Sequence, residues 1–437
     1  MALGDALPLV RKPIPASVGS RWVERLAASE CPALTTRRKR RQEQTGASHD
    51  PIVWVEACGC NVVDADGNRY VDLTSGFGVA FVGHRHPEVV AAVKGQADRL
   101  MHALGDLHPS DVKIELLERL CALAPWPEAR VMLALSGADA VTAALKTAVL
   151  ASGKPGIVAF EGGYHGLSYG PLSVLGYDAR FREPFHEQLH AHVHFARWPR
   201  TDEEVDEALQ TLPKDWSQIG AVIMEPIQGR AGVRVPPEGF VQALAERCRA
   251  RGALLIVDEI FTGIGRCGAW WRSIDTGLVP DLICAGKALG GGLPVSACLG
   301  RRDVMDAWGT PDREAIHTGT FYGDPLGSAS ALATLGLIEK EGLMLEAVER
   351  GQAIARTLRC IESSRIVEVR QVGLMIGLQL EAEQSALRLT RDLLERGYLV
   401  LPAGARADVL QLTPPVTLSD AQVEGFVGAL EDALGNR

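Results

Sequence analysis

Three short apolar runs in this chain end in groups that could do chemistry together. Leu254-Leu-Ile-Val-Asp258-Glu259 ends in acids, and Asp281-Leu-Ile-Cys-Ala-Gly-Lys287 ends in a lysine. Arg130-Val-Met-Leu-Ala-Leu runs into the small-residue turn Ser136-Gly137-Ala138-Asp139-Ala140. A lysine in a partly dry crevice loses proton affinity and can form a Schiff base with an aldehyde. A carboxylate against a pyridinium nitrogen keeps that nitrogen protonated, which makes the ring an electron sink. Free backbone N–H groups at a helix start bind a phosphate, aided by the helix dipole. Pyridoxal 5′-phosphate presents an aldehyde, a ring nitrogen and a phosphate at once. Singly, each feature has a plainer reading, as a surface ion pair or an ordinary turn. Their combination points to the cofactor if the three runs share one sheet.

The surrounding sequence predicts such a sheet. Apolar runs at 130–135, 156–160, 221–224, 254–257 and 282–285 alternate with helical stretches such as 140–151 and 239–251. That rhythm predicts an α/β fold whose mostly parallel sheet is covered on both faces and binds ligands beyond the carboxyl ends of its strands. Residues 59–73 alternate and break at Asp66-Gly67, which predicts a β-hairpin. Helical spacing marks 87–104, 326–341, a stretch from about 346, and 419–434, with short strands near 366–380. The expected division is an N-terminal arm with part of a small domain at 1–75, a large cofactor-binding domain at 76–325, and a smaller α+β domain at 326–437.

Composition narrows the class. With 54 acidic and 45 basic side chains, a net charge of −9 and 46% hydrophobic residues, the chain reads as globular with ample material for a core. Disordered, collagen-like and disulfide-scaffold classes do not fit. The negative balance argues against a nucleic-acid partner, and the basic run Arg37–Arg41 reads as a solvated helix face or arm. No apolar run is long enough to span a bilayer. The N-terminus carries an acid and a proline where a secretory signal needs a basic start and an unbroken apolar run. Nine scattered cysteines without a CxxC pattern suit reduced thiols, so cytoplasm is the expected compartment. Gly263-Ile-Gly265-Arg-Cys-Gly268 is followed by Ala269-Trp270-Trp271 rather than a helical pattern, which argues against a dinucleotide site. His186, His190, His192 and His194 come without an acid or thiol ligand set, so no metal site is expected.

The motifs together resemble those of the class III pyridoxal-phosphate aminotransferases, the group that includes ornithine, acetylornithine and 4-aminobutyrate aminotransferases. The resemblance covers roughly 50–435. It rests on Asp66-Gly-Asn-Arg-Tyr-Val-Asp72, Gly83-His-Arg-His86-Pro87, Ser136–Ala140, Tyr164-His165-Gly166, Glu225-Pro-Ile-Gln-Gly229, Val257-Asp258-Glu259 with Thr262-Gly263, Gly286-Lys287-Ala-Leu-Gly-Gly-Gly292 and His317-Thr-Gly-Thr320-Phe321. It implies fold type I and a homodimer with shared active sites. The implied reaction is ping-pong transfer of an amino group from an amine or amino acid to a keto acid or aldehyde. Lys287 would be the Schiff-base lysine and the proton-shifting base, and Asp258 the partner of the ring nitrogen. Ser136, Gly137 and Ala138 would hold the phosphate. Tyr164 and Ile260 would face the two sides of the ring, with His165 and Glu225 also lining the cofactor. Thr320 would reach the phosphate of the partner subunit's cofactor, and Glu259 would be a supporting acid. A racemase, epimerase or aminomutase on the same fold is the alternative. A non-catalytic scaffold would be expected to lack Lys287 or Asp258, and both are present.

Departures from the family pattern bear on the substrate. Where the amino-acid aminotransferases of this class carry Val-Gln after Asp-Glu, this chain has Ile260-Phe261. Leu167 and Gln411 stand at positions that hold carboxylate-binding arginines in those relatives. In compensation, the family's Glu-Pro-x-Gln-Gly-Glu ends here in Arg230. Glu225, Arg230 and Gln411 are the candidate substrate residues, with Arg230 either binding a carboxylate, pairing with Glu225, or lying on a surface loop.

Overall fold

The computed structural model describes residues 3–309 and 314–435. They form two units: Pro87–Ala347, and the two chain ends, Met1–His86 with Val348–Arg437.

The first unit is built on a seven-stranded sheet. Its order is Ala129–Ala134, Ser296–Arg301, Leu282–Ala285, Leu254–Asp258, Ile219–Met224, Gly156–Phe160 and Val193–Ala196. Ser296–Arg301 is antiparallel to both neighbours, and the other strands all point one way. Ile219–Met224 and Leu282–Ala285 are buried at every residue, as a parallel sheet covered on both faces requires. Phe160, Trp198, Phe240 and Leu244 pack one side, and Val141, Ala144, Ile223 and Cys284 the other. The helix Gly137–Ser152 buries Ala140, Ala143, Ala144 and Ala148, small side chains that let its backbone approach the sheet. A reciprocal capping box between Ser136 and Asp139 fixes where it starts.

The division falls at His86 and Ala347 rather than at the 75 and 325 read from the sequence. The helix Pro325–Lys340 packs on Pro87–Arg99 and Asp111–Leu123 within the larger unit, and its Ser330 Oγ donates to Gly290 O at 2.7 Å. Its first turns bury the small residues Gly327, Ser328, Ala329, Ser330 and Ala331, and its second half buries Thr334, Leu335, Leu337 and Ile338. Small residues serve close packing here, and their pattern alone does not say which neighbour they approach.

The unit formed by the chain ends holds two four-stranded sheets. The expected hairpin is present as Asn61–Asp64 paired with Arg69–Asp72. Asp64 holds its turn, accepting from Asp66 N at 3.0 Å, Asn68 N at 2.8 Å and Tyr70 OH at 2.7 Å. The basic run lies on the helix Pro32–Thr45, which has no buried residue, and Arg38 pairs with Glu30. Gln411 is buried in the strand Val409–Leu412, between Met375–Leu380 and Leu401–Ala403.

The turn also caps a helix far away in sequence. Ala16, the N-cap of Ser17–Ser29, gives no side-chain cap, and Asp66 takes that part. Its carboxylate accepts from Ala16 N at 3.1 Å, Val18 N at 2.9 Å and Gly19 N at 2.8 Å. Loss of such a cap costs about 1 kcal/mol. Asp66→Ala is therefore expected to speed amide hydrogen exchange in residues 17–29 by roughly five- to tenfold while leaving the large sheet protected. Unchanged exchange in that helix would show that Asp66 does not hold it.

Candidate active site

Register places the reactive groups. Ile219–Met224, Leu254–Asp258 and Leu282–Ala285 are adjacent and parallel, with Met224 opposite Val257 and Asp258 opposite Cys284. Glu225, Asp258 and Lys287 therefore leave the sheet side by side at its carboxyl edge. Ser136 follows Ala129–Ala134, and Tyr164 and His165 follow Gly156–Phe160, at the same edge.

Asp258 is buried. Its Oδ2 lies 2.8 Å from His165 Nδ1, and its Oδ1 accepts from Ile260 N at 3.1 Å. Burial alone would strip the His165 proton. The Asp258 hydrogen bond and charge, with the charge of Glu225, outweigh it and raise the imidazole above its usual value. Lys287 has a left-handed backbone, φ +44°, and its Nζ lies 4.3 Å from the centre of the Phe261 ring. Desolvation pulls its pKa down, as do Arg230 and Arg266, against the pull of Asp258 and Glu225. A depressed ammonium is what a Schiff-base lysine needs. Glu225 accepts from Tyr164 N at 2.8 Å and from Gly229 N at 3.1 Å. Burial pushes it up to about 7, opposed by His165 and reinforced by Asp258.

The helix start beside these groups offers donors. The capping box takes the N–H groups of Ser136 and Asp139. Those of Gly137 and Ala138 have no protein acceptor among the described residues. A Cβ on Gly137 would come 2.7 Å from Ile260 Cδ1, and one on Gly166, at φ +113°, would come 2.8 Å from Ala138 Cβ. Ile260 thus backs the turn and also lies against Gly286. A buried acid, a desolvated lysine and two open N–H groups at one sheet edge fit the ring nitrogen, aldehyde and phosphate of pyridoxal phosphate. Glu259, next to Asp258, accepts instead from Thr262 Oγ1 and from Ser273 N, and burial raises its pKa. It ties down the following loop.

Arg230 stands on a loop whose base is closed by reciprocal backbone bonds between Gln228 and Arg234, at 3.0 and 3.1 Å. Its guanidinium carbon lies 5.5 Å from the centres of both the Tyr164 and Tyr177 rings, which meet edge-on at 85°. No acid pairs with Arg230 among the described residues, and its buried Nε has no partner there. The alternative pairing with Glu225 is not formed among the described residues; the Glu225 oxygens accept from the backbone N–H groups of Tyr164 and Gly229. Leu167 is 48% exposed and brings no charge. Gln411 lies in the other unit. Thr320 is exposed, on a segment where Phe321 packs against His102 with ring centres 5.2 Å apart. Sequence reasoning missed Tyr177, which stands in no motif, and read Phe261 only as a missing glutamine.

The remaining motifs settle into structural parts. Residues 263–268 form turns rather than opening a helix. His190 Nε2 and His194 Nε2 bond to the backbone oxygens of Pro155 and Thr211, at 2.7 and 2.6 Å. No helix among the described residues is long and apolar enough to cross a membrane.

Comparison with known proteins decides the family. The family described as aminotransferase class-III matches residues 44–434. This chain is a class III aminotransferase. It is 36% identical to an acetylornithine aminotransferase of Methanopyrus kandleri, over 89% of this chain and 95% of the relative. It is 37% identical to a [LysW]-aminoadipate semialdehyde transaminase of Deinococcus radiodurans, over 89% and 87%. Among solved structures, an amine transaminase from an uncultivated Pseudomonas species, in its PLP-bound form, superposes with a TM-score of 0.81 and 30% identity over 88% of this chain and 95% of that one. An (S)-enantioselective omega-transaminase from Thermomicrobium roseum does so with 0.86 and 27%, over 96% and 99%. The fold is that of the pyridoxal-phosphate transaminases, fold type I. The enzyme uses that cofactor to transfer amino groups, and none of these relatives supports the racemase or aminomutase alternative.

The buried Glu225 gives a pH signature. Native Glu225 keeps its proton up to about 7, whereas the ordinary value is near 4.5. The native state therefore binds more protons between those limits, and stability falls as pH rises through that window. Glu225→Gln removes this dependence. Relative to wild type, the cofactor-free variant is expected to gain thermal stability at pH 8 compared with pH 5. A stability difference that stays constant with pH would contradict the assignment.

Proposed function

We propose that Lys287 and Asp258 carry the transamination, in a cofactor cradle formed by Ser136, Gly137, Ala138, Tyr164, His165, Glu225 and Ile260. The observation that supports this most directly is the strand register, which brings the desolvated lysine and the buried carboxylate to the edge where Gly137 and Ala138 leave their N–H groups open. When bound, pyridoxal phosphate supplies an electrophilic carbon and a ring that accepts the electron pair left by a broken C–H bond.

The chain's own groups do the rest. Lys287 Nζ, its proton affinity lowered by burial, would hold the cofactor through its aldehyde carbon and, once released, would take and return the migrating proton. Asp258 holds positive charge at the ring-nitrogen position, while His165 and Ile260 N fix its two oxygens. Gly137 and Ala138 hold the phosphate by backbone donors, on a helix start set by Ser136. Glu225 fixes Tyr164 through the backbone and faces the site with a proton it can lose near neutrality. The donor is an amine or amino acid and the acceptor a keto acid or aldehyde, taken in turn by a ping-pong mechanism. Cytoplasm suits the chain, whose cysteines are all free.

Lys287→Ala and Asp258→Asn are each expected to slow the donor half-reaction, followed by bleaching of visible cofactor absorbance, by about 10²–10⁴-fold. A rate within a few-fold of wild type in either variant would overturn that residue's role.

The working enzyme is proposed to be a homodimer in which Thr320 reaches the phosphate held by the partner subunit. Support comes from the exposed apolar side chains of Met101, Leu104, Leu107 and Phe321 beside Thr320, a grouping that monomers rarely leave in water. Sedimentation is expected to give a dimer for wild type and a monomer for Leu107→Asp combined with Phe321→Asp. A monomeric wild type would contradict this.

A further inference from the structure

We propose that Arg230 binds a carboxylate of the substrate, so that the preferred donor carries both an amine and a carboxylate. This deepens the transaminase reading and rests on Lys287 being the reacting lysine.

Arg230 is placed for that task. Reciprocal Gln228–Arg234 bonds close its loop, and the loop springs from the strand end that carries Glu225. Its charge reaches Lys287, whose proton affinity it lowers. It lies between Tyr164 and Tyr177 with its guanidinium carbon 5.5 Å from each ring centre. Aromatic faces attract the planar cation and displace water from it, which leaves fewer competitors for an incoming anion.

What the protein withholds is a counter-ion. No acid pairs with Arg230 among the described residues, and its buried Nε has no partner there. Arg230 is partly buried, and a cation drawn out of water without an acid partner is poorly compensated. Glu225, the acid nearest in sequence, points its oxygens at Tyr164 N and Gly229 N. A substrate carboxylate would supply the missing charge, and the guanidinium fork matches it with two parallel N–H donors. The loop is thus built around a cation whose natural partner arrives with the ligand.

The test compares acids with the amines that lack their carboxylate, alanine against ethylamine and 5-aminovalerate against pentylamine. Donor half-reactions are followed by cofactor absorbance in the holoenzyme, for wild type, Arg230→Met and Arg230→Lys. Valerate binding to the same proteins is measured by calorimetry. Wild type is expected to favour the acid in at least one pair. Arg230→Met should lose about 100-fold in kcat/KM toward that acid relative to its amine, the scale of a charged hydrogen bond. Arg230→Lys should recover part of the loss, and valerate should bind Arg230→Met at least tenfold more weakly. Equal losses on acid and amine, or a wild type that favours the bare amine in both pairs, would overturn the proposal. If wild type reacted with no donor at all, the transaminase reading would fail. Valerate binding that stayed unchanged in Arg230→Met would then sink the Arg230 proposal separately.

Discussion

Asp258 is a carboxylate in a buried crevice, and the site depends on how its two oxygens are satisfied. Burying a carboxylate is costly unless it is paired and hydrogen-bonded. Here the imidazole of His165, itself buried, stands 2.8 Å away and is held toward its charged form by the acid it supports. The backbone N–H of Ile260 takes the other oxygen. Both supports come from the sheet's own geometry. His165 follows Gly156–Phe160, Ile260 follows Leu254–Asp258, and Ile219–Met224 lies between those two strands. A slip of one residue in any of these pairings would turn the acid to the opposite face, where Glu259 already serves a structural purpose.

The other features of the crevice follow from that fixed charge. Lys287 is near enough to feel Asp258 and Glu225, yet desolvation wins and the amine is held ready to lose its proton. Phe261 faces it with an aromatic ring, which tolerates the cation without offering a hydrogen-bond acceptor. Ile260 serves twice: its backbone supports Asp258, and its side chain packs behind the Gly137 turn. Glycine at 137 and 166 is a requirement of close packing, since a methyl group at either would meet Ile260 or Ala138. Acid, amine and helix start are therefore coupled through a few residues directly beyond the strand ends.

Much of this could be read from the sequence. The strand 254–258, the lysine beyond 282–285 and the Ser136 turn are local patterns, and each lies within a residue or two of its expected place. The hairpin at 61–72 was equally plain, because alternation and an Asp-Gly turn carry their own signal. Long-range partners were not legible. Nothing in the sequence says that Tyr177 stands beside Arg230, or that Asp66 caps the helix at 17–29, because those contacts depend on how distant segments return. The neighbours of the helix 325–340 were hidden for a similar reason: its run of small buried residues shows that something packs closely, without naming what. Arg230 was visible as a departure from a motif, but only the folded chain shows that Glu225 accepts from backbone N–H groups instead of pairing with it.

The central claim is that Lys287 carries the cofactor. The most direct measurement is borohydride reduction of the holoenzyme, followed by proteolysis and mass mapping of the modified lysine. The expected result is one pyridoxyl-phosphate adduct per chain, on the peptide containing Lys287. An adduct on another lysine, or none while the cofactor band is present, would contradict the site and the roles drawn from it.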